Sequence, residues 1–475
     1  MNTNDLHDLL ALLDGSLELT DQGAVILDPD RLRKNVHRLS WVSALETGTR
    51  QIIARYLCRL AALAYGVIPA SINDLYLARG RGEVPVALTV PAINLRSLSF
   101  DAAQAVFRAA KAVEAGAFIF EIARSEIGYT DQSPGEYATN ILAAAIAEDF
   151  TGPVFIQGDH FQISAKRFAE NPDVEVQTVR DLIKEAIQAG FFNIDIDTST
   201  LVDLSKAKTS EQQSLNSHLS ANLTEYIRAI EPQGVTISVG GEIGEVGGHN
   251  STAEELRAYM DGYSEELTRR APKVTGLSKV SIQTGTSHGG VVLPDGSIKQ
   301  VSVDFDTLQR LSRLARQQYG LGGAVQHGAS TLPEEAFGKF VEAEACEVHL
   351  ATNFQNMLFE RLPDDLREDM YAYLDEKHAG SRKPGMTDEQ FYYKNRKYAI
   401  GPYKNKLWNL APEKKEEIAM AWQEQFSKLF KLLSVEDTRK YLQQTIQPAP
   451  VQPEKKDYLV EQVEEEGENV TDLAD

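Results

Sequence analysis

Along residues 84–353, short and almost continuously apolar runs alternate with stretches whose apolar residues recur every three or four positions. The runs are VPVALTVPAIN (84–94), GAFIFEIA (116–123), GPVFIQGD (152–159) and GFFNIDIDTS (190–199), then GVTISVGGEIG (234–244), KVSIQTGT (279–286), GGAVQHGAS (322–330) and CEVHLATN (346–353). Strands that are apolar on both faces belong to a parallel sheet covered by helices. The intervening segments, such as TVRDLIKEAIQAG and VDFDTLQRLSRLARQQYG, have helical spacing and end on glycine, as helix C-termini often do. Eight β–α units predict an α/β fold, a (β/α)8 TIM barrel over 84–360. No glycine-rich fingerprint follows the first run, which argues against a dinucleotide-binding open sheet. Residues 1–83 read as a helical N-terminal extension and 361–448 as a C-terminal helical segment with an aromatic-basic loop, FYYKNRKYAIGPYKNKLW.

Charge changes this picture at one end. Residues 451–475 carry nine acidic side chains against Lys455 and Lys456, so 449–475 is expected to be an acidic disordered tail. The whole chain of 475 residues has a formal charge of −21, which argues against nucleic acid or an anionic membrane as partner. No apolar run is long enough to span a bilayer, and the N-terminus carries acidic residues where an export signal has basic ones. Two cysteines, Cys58 and Cys346, make no disulfide framework and suit a reducing compartment, so a cytoplasmic location is expected.

Barrel enzymes build their sites at the C-terminal ends of the strands. The third run ends in Asp159-His160, the fifth in Glu242, the sixth leads into His288 and the seventh reaches His327. Three imidazoles and a carboxylate at one mouth form a zinc-type donor set that leaves a position open for substrate. Each histidine alone reads better as a structural strand-end residue; three on different strands of one barrel do not. Asp159 is either a turn-capping carboxylate or a general acid/base held ionised by a neighbouring cation. Two adjacent residues reach the same cavity only if the strand ends there, and Gly158 permits that. Gly289, Gly328 and Ser330 either make tight turns or offer backbone N–H groups to a phosphate.

These residues resemble those of the class II, metal-dependent fructose-bisphosphate aldolases and their tagatose-bisphosphate relatives. The similar segments are VPAINLR (90–96), GDH (158–160), IDTS (196–199), GGEIGEVGG (240–248), GTSHGG (285–290), VDFDTLQRL (303–311) and QHGAS (326–330), with RKYAIGPYK (396–404) near the end. The resemblance implies Zn2+, or another divalent metal, held by His160, His288 and His327 with Glu242 as neighbouring or alternative ligand. The ion would act as Lewis acid on the ketose carbonyl, and Asp159 would move the hydroxyl proton of the aldehyde half. Asn94, Gly289, Gly328, Ser330, His349 and Thr352 are the substrate- and phosphate-side candidates. Three departures stand out. The acidic mobile-loop residue is missing after Gly247-Gly248, leaving His249 or Glu245 to substitute, with His249 the catalytic candidate. The eighth run has Ala351 where the family has aspartate. FEIARSEIGYTDQSPGEY (120–137) looks closer to tagatose-bisphosphate accessory subunits. The expected activity is cleavage of a ketose bisphosphate, fructose 1,6-bisphosphate before others, to dihydroxyacetone phosphate and glyceraldehyde 3-phosphate. The alternatives are an aldolase for a different, tagatose-type ketose phosphate and a non-catalytic barrel that stabilises a partner aldolase. A homo-oligomer, dimer or tetramer, is expected, and assistance by a monovalent cation stays open.

Overall fold

The computed structural model describes residues 3–21, 23–244, 249–285, 291–293, 298–299, 302–458 and 473. Eight parallel strands form the centre: β1 (Val90–Asn94), β2 (Ile119–Ala123), β3 (Gly152–Gln162), β4 (Asn193–Asp197), β5 (Ser238–Glu242), β6 (Lys279–Ile282), β7 (Ala324–Gln326) and β8 (Glu347–Leu350). Each pairs with the next, and β8 returns to β1 with Glu347 opposite Val90 and Leu350 opposite Ile93, so the barrel is closed. All eight apolar runs became strands of this (β/α)8 barrel. The helices between them begin and end as their sequences dictate. In Pro172–Ala189, Asn171 accepts the Val174 N–H, Pro172 opens the first turn and Gly190 takes a left-handed φ of 105°.

β3 departs from expectation where it matters most. It does not stop at Asp159 but continues to Gln162, and its pairing with β4 shifts register between Gly158 and Phe161. His160 has φ 38°, a left-handed value rare for a residue with a Cβ. A bulge of this kind re-aims side chains, which is how Asp159 and His160 both come to face charged partners inside the barrel. Gly158 is required here: a Cβ on it would sit 2.3 Å from the Phe161 ring.

The front segment is mostly helix, with a hairpin (Leu17–Thr20 and Gly23–Ile26) and a strand, Val67–Ala70, that pairs with the start of β3. Its helices His37–Leu45 and Thr49–Tyr65 pack on helix Pro134–Ala147, outside the barrel. Helix Asn73–Gly80 lies at the opposite end from the mouth: Tyr76 donates to Glu347, and Arg79 donates to the carbonyls of Gly322, Val86 and Ala345. The C-terminal helix Pro412–Leu432 packs on helix Ser99–Ala112, so one apolar core runs through front, barrel and C-terminal helices. Part of the expected tail is docked: Ala449 and Val451 lie against the core and the Tyr458 ring meets Tyr56 at 5.5 Å. Apolar side chains within that proline-rich stretch account for its docking. Residues 459–472, 474 and 475 of that expected tail lie outside the described residues. Among the described residues no helix is long and apolar enough to cross a membrane.

RKYAIGPYK docks by a buried ion pair. Lys404 Nζ lies 2.7 Å from Glu136 Oε2. Burial, opposed by Lys404 and Arg55, pushes the Glu136 carboxyl up from 4.5 to about 7. A carboxyl raised on folding stabilises the fold fully below its unfolded value and loses that contribution as pH rises through the folded value. Wild-type stability should therefore fall between pH 4.5 and 8 by about 3 kcal/mol more than that of Glu136→Gln. Denaturant midpoints across that range check it, and parallel curves for the two proteins would refute it.

Candidate active site

Alternate residues of a barrel strand face the interior, and here several of them are charged. At the base of the site, buried Lys279 on β6 lies with Nζ 2.9 Å from Asp195 Oδ2 on β4 and 2.6 Å from Gln157 Oε1 on β3, and it also donates to Glu347 Oε1 on β8. Gln157 Nε2 donates to Glu347 at 2.9 Å and to Glu121 on β2 at 3.1 Å. Burial opposes the Lys279 charge, but Asp195 and Glu347 outweigh it and raise its pKa. Burial likewise opposes the Glu347 carboxylate, but Lys279 and His349 hold it down at about 2. Asp195, with burial dominant, is pushed up to about 6.

Above this base three imidazoles stand side by side. The ring centroids of His160 and His327 are 4.3 Å apart, and those of His327 and His349 are 4.1 Å apart. His160 Nδ1 lies 3.1 Å from Asp197 Oδ2 and 3.2 Å from Glu242 Oε2. His327 Nε2 lies 2.9 Å from Ser281 Oγ. His349 Nε2 is 2.7 Å from Glu347 Oε1, while its Nδ1 faces Glu121 Oε2 at 3.1 Å and Asp159 Oδ1 at 3.2 Å. Burial alone would keep His160 and His349 neutral. The carboxylates around them, Asp159 and Glu242 for His160, Glu121 and Asp159 for His349, outweigh it and raise both well above the usual imidazole range. Burial opposes the charge on Asp159 too, but His160 and His349 hold it well below the usual carboxylate range.

A cleft opens over this cluster, lined by Asn94, Arg96, Glu121, Glu126, Asp159, His327, Gly328, Ser330, Thr331, His349 and Thr352 among others. Glu126 organises its β1–β2 side: one carboxylate oxygen accepts Arg96 Nε–H at 2.7 Å, the other accepts Asn94 Nδ2–H and the Ala123 N–H. On the far side the Ser330 hydroxyl oxygen accepts the Ala351 N–H.

The structure thus brings together Asp159, His160, Glu242 and His327, with Asn94, Gly328, Ser330, His349 and Thr352 around the same cleft. His249 is not brought to it: it is exposed, with Nδ1 2.9 Å from the Asn250 carbonyl and Nε2 3.8 Å from Glu255. His288, Gly289 and Glu245 lie outside the described residues. Sequence reasoning passed over Glu121, Asp195, Asp197, Lys279 and Glu347. Asp195, Asp197 and Glu347 did leave a signal, as polar or charged residues at every second position within otherwise apolar runs (NIDID, EVHL), whereas Glu121 and Lys279 stand singly in theirs. Arg96 and Glu126 gave no such signal, because they lie beyond strand ends.

A family model described as fructose-bisphosphate aldolase class-II matches residues 86–421. No curated protein matches the chain. Among solved structures, the chain is similar to a fructuronate-tagaturonate epimerase of Cohnella laeviribosi, at 12% identity and TM-score 0.53, covering 89% of this chain and 90% of that one. It is similar to a probable tagatose 6-phosphate kinase of Sinorhizobium meliloti, at 16% identity and TM-score 0.50, over 74% and 98% of the two chains. A fructose-bisphosphate aldolase of Campylobacter jejuni aligns at 18% identity and TM-score 0.46, over 78% and 96%. At these identities the likeness to the first two is one of fold. The family match takes in all eight barrel strands and runs on into the C-terminal helices, and on that extent the chain belongs to the class-II fructose-bisphosphate aldolase family.

Proposed function

We propose that the protein is a zinc-dependent aldolase that reversibly cleaves a ketose bisphosphate, fructose 1,6-bisphosphate, to dihydroxyacetone phosphate and glyceraldehyde 3-phosphate. The observation that carries this reading is Asp159, a buried carboxylate kept ionised beside a set of metal-type donors. The family is typically metal-dependent, and the residues fit a divalent cation: His160, Glu242 and His327 each offer a ligand atom, all within 4.8 Å of one another. They would hold the ion, with His288 as a further ligand. When bound, it supplies Lewis-acid polarisation of the ketose carbonyl.

The chain's own residues supply the rest. Breaking the C3–C4 bond requires removal of the C4 hydroxyl proton, and Asp159 is the base in position to take it. His349, and the cation that His160 would help to hold, keep that base charged; without the ion His160 itself does so. Asn94, fixed by Glu126, orients the sugar hydroxyls, while Gly328, Ser330 and Thr352 serve the phosphate side. Purified protein given fructose 1,6-bisphosphate is expected to release triose phosphate, to lose that activity in EDTA and to regain it with zinc. Zinc-loaded protein that cleaves neither this ketose nor its tagatose epimer would overturn the reading.

A second reading is epimerisation of a less charged ketose, such as a ketouronate. Cleavage of C3–C4, rotation of the aldehyde and re-addition to its other face inverts C4 with no net change in atoms. The described lining of the cleft favours it: Glu121, Glu126 and Asp159 stand against a single guanidinium, Arg96, which Glu126 already neutralises. Epimeric ketose without free triose in the same assay would select this reading.

A further inference from the structure

The floor of the barrel is closed by a segment that precedes the family-matched residues 86–421. Helix Asn73–Gly80 reads NDLYLARG, which places Tyr76 and Arg79 three positions apart and so on one face. Both are buried against the starts of β7 and β8. The seat has no slack. A Cβ on Gly80 would lie 2.4 Å from the Gly320 carbonyl oxygen, and one on Gly322 would lie 2.9 Å from Tyr76 Cβ. Just before the helix, the Ile72 N–H donates to Asn193 Oδ1 at 2.9 Å, and Asn193 Nδ2 donates back to the Ala70 carbonyl at 3.1 Å. Apolar side chains would be enough to cover apolar strand ends. This helix sends a phenol inward.

The phenol is aimed at one group. A buried tyrosine hydroxyl requires a partner, and Tyr76 donates to Glu347 Oε2. Glu347 Oε1 is taken by three other donors: Lys279 Nζ, Gln157 Nε2 at 2.9 Å and His349 Nε2 at 2.7 Å. Among the described residues Tyr76 is the only donor to Oε2. The terminal torsion of a glutamate is broad, so a carboxylate held at one oxygen can swing and one held at both cannot. Through Glu347 the hydroxyl therefore sets the His349 ring. The other nitrogen of that ring, Nδ1, lies 3.2 Å from Asp159 Oδ1 and 3.1 Å from Glu121 Oε2. Where the ring stands decides what Asp159 meets.

We infer that Tyr76 is a positioning residue for the chemistry at the opposite end of the barrel, acting through Glu347 on the His349 ring and so on Asp159. These four side chains link a helix outside the family match to the proposed base. The inference rests on Asp159 being the base of the aldolase reading. It makes the front segment part of the active-site machinery as well as part of the fold.

Full-length Tyr76→Phe tests it, because the ring that packs is kept and only the hydroxyl is lost. Circular dichroism checks the fold. With the ketose that the wild type cleaves, kcat is expected to fall about 10-fold with KM within about twofold, since small displacements of a catalytic group are felt in turnover. Glu347→Gln should lower kcat as well. Adding Tyr76→Phe to it should cost less than about twofold more, because the two act along one path. Leu75→Val, which loosens packing on the same helix without removing a hydrogen bond, should leave kcat unchanged. The imidazole N–H signals of His349 in proton NMR of the metal-free protein are assigned as those lost in His349→Asn. They should shift in Tyr76→Phe and not in Leu75→Val. Unchanged kcat in Tyr76→Phe, an equal fall in Leu75→Val, the full cost repeated on top of Glu347→Gln, or unmoved His349 signals would each overturn the inference. A wild type that turns over no ketose would instead refute the aldolase reading, and the His349 signals alone would then decide whether Tyr76 holds that ring.

Discussion

Lys279→Met is expected to destabilise the protein by about 3–5 kcal/mol, the range for removing one partner of a buried ion pair. Lys279 has no exposed surface to speak of, at 1%, and its ammonium contacts Asp195, Gln157 and Glu347 from three different strands. Methionine nearly fills the same volume, so little of the loss would come from packing; it would come from two carboxylates left facing each other at the barrel's centre. Gly240 shows how tightly this point is built: a Cβ there would lie 2.2 Å from Asp195 Oδ1 and 2.9 Å from Lys279 Cε. Urea unfolding of metal-free proteins measures the effect. Adding Asp195→Asn and Glu347→Gln to the variant should recover much of the stability, because the charges that needed Lys279 are then gone. A loss below about 1 kcal/mol for Lys279→Met alone would mean that the carboxylates are neutralised by other means.

The barrel was legible because strands buried on both faces must be apolar at nearly every position, and eight such runs separated by helical spacing admit few arrangements. The strand-end rule then located Asp159, His160, Glu242 and His327 without any contact being known. What it could not supply was depth. Glu121, Asp195, Lys279 and Glu347 are buried within the barrel, where a charge is stable only with partners from other strands, and sequence spacing does not reveal partners. His349 shows the difference best. Read along the chain it belongs to the substrate side of the eighth strand. In the barrel its Nε2 is tied to Glu347 two residues earlier, on the same face of β8, and its ring lies beside His327. The bulge at Gly158 was equally hidden: nothing in GDHFQ distinguishes a strand that ends from one that kinks and continues.

Asp159→Asn should lower turnover by about 10²–10⁴, the range for loss of a general acid/base, with KM little changed. The amide keeps the shape of the carboxylate but cannot take a proton. Its surroundings argue that this, and not folding, is what the residue is for. A fully buried carboxylate pays for its charge only if charge is needed, and His160 and His349 both stand close enough to keep it ionised. The ion at His160, Glu242 and His327 should remain in the variant, since Asp159 is not one of that donor set. His327→Ala, by contrast, should lose metal and activity together, because His327 belongs to that donor set. The two variants separate proton transfer from ion binding: a metal-bound Asp159→Asn protein with unchanged turnover would remove Asp159 from the reaction, and the proton would then have to be taken by a group elsewhere in the cleft.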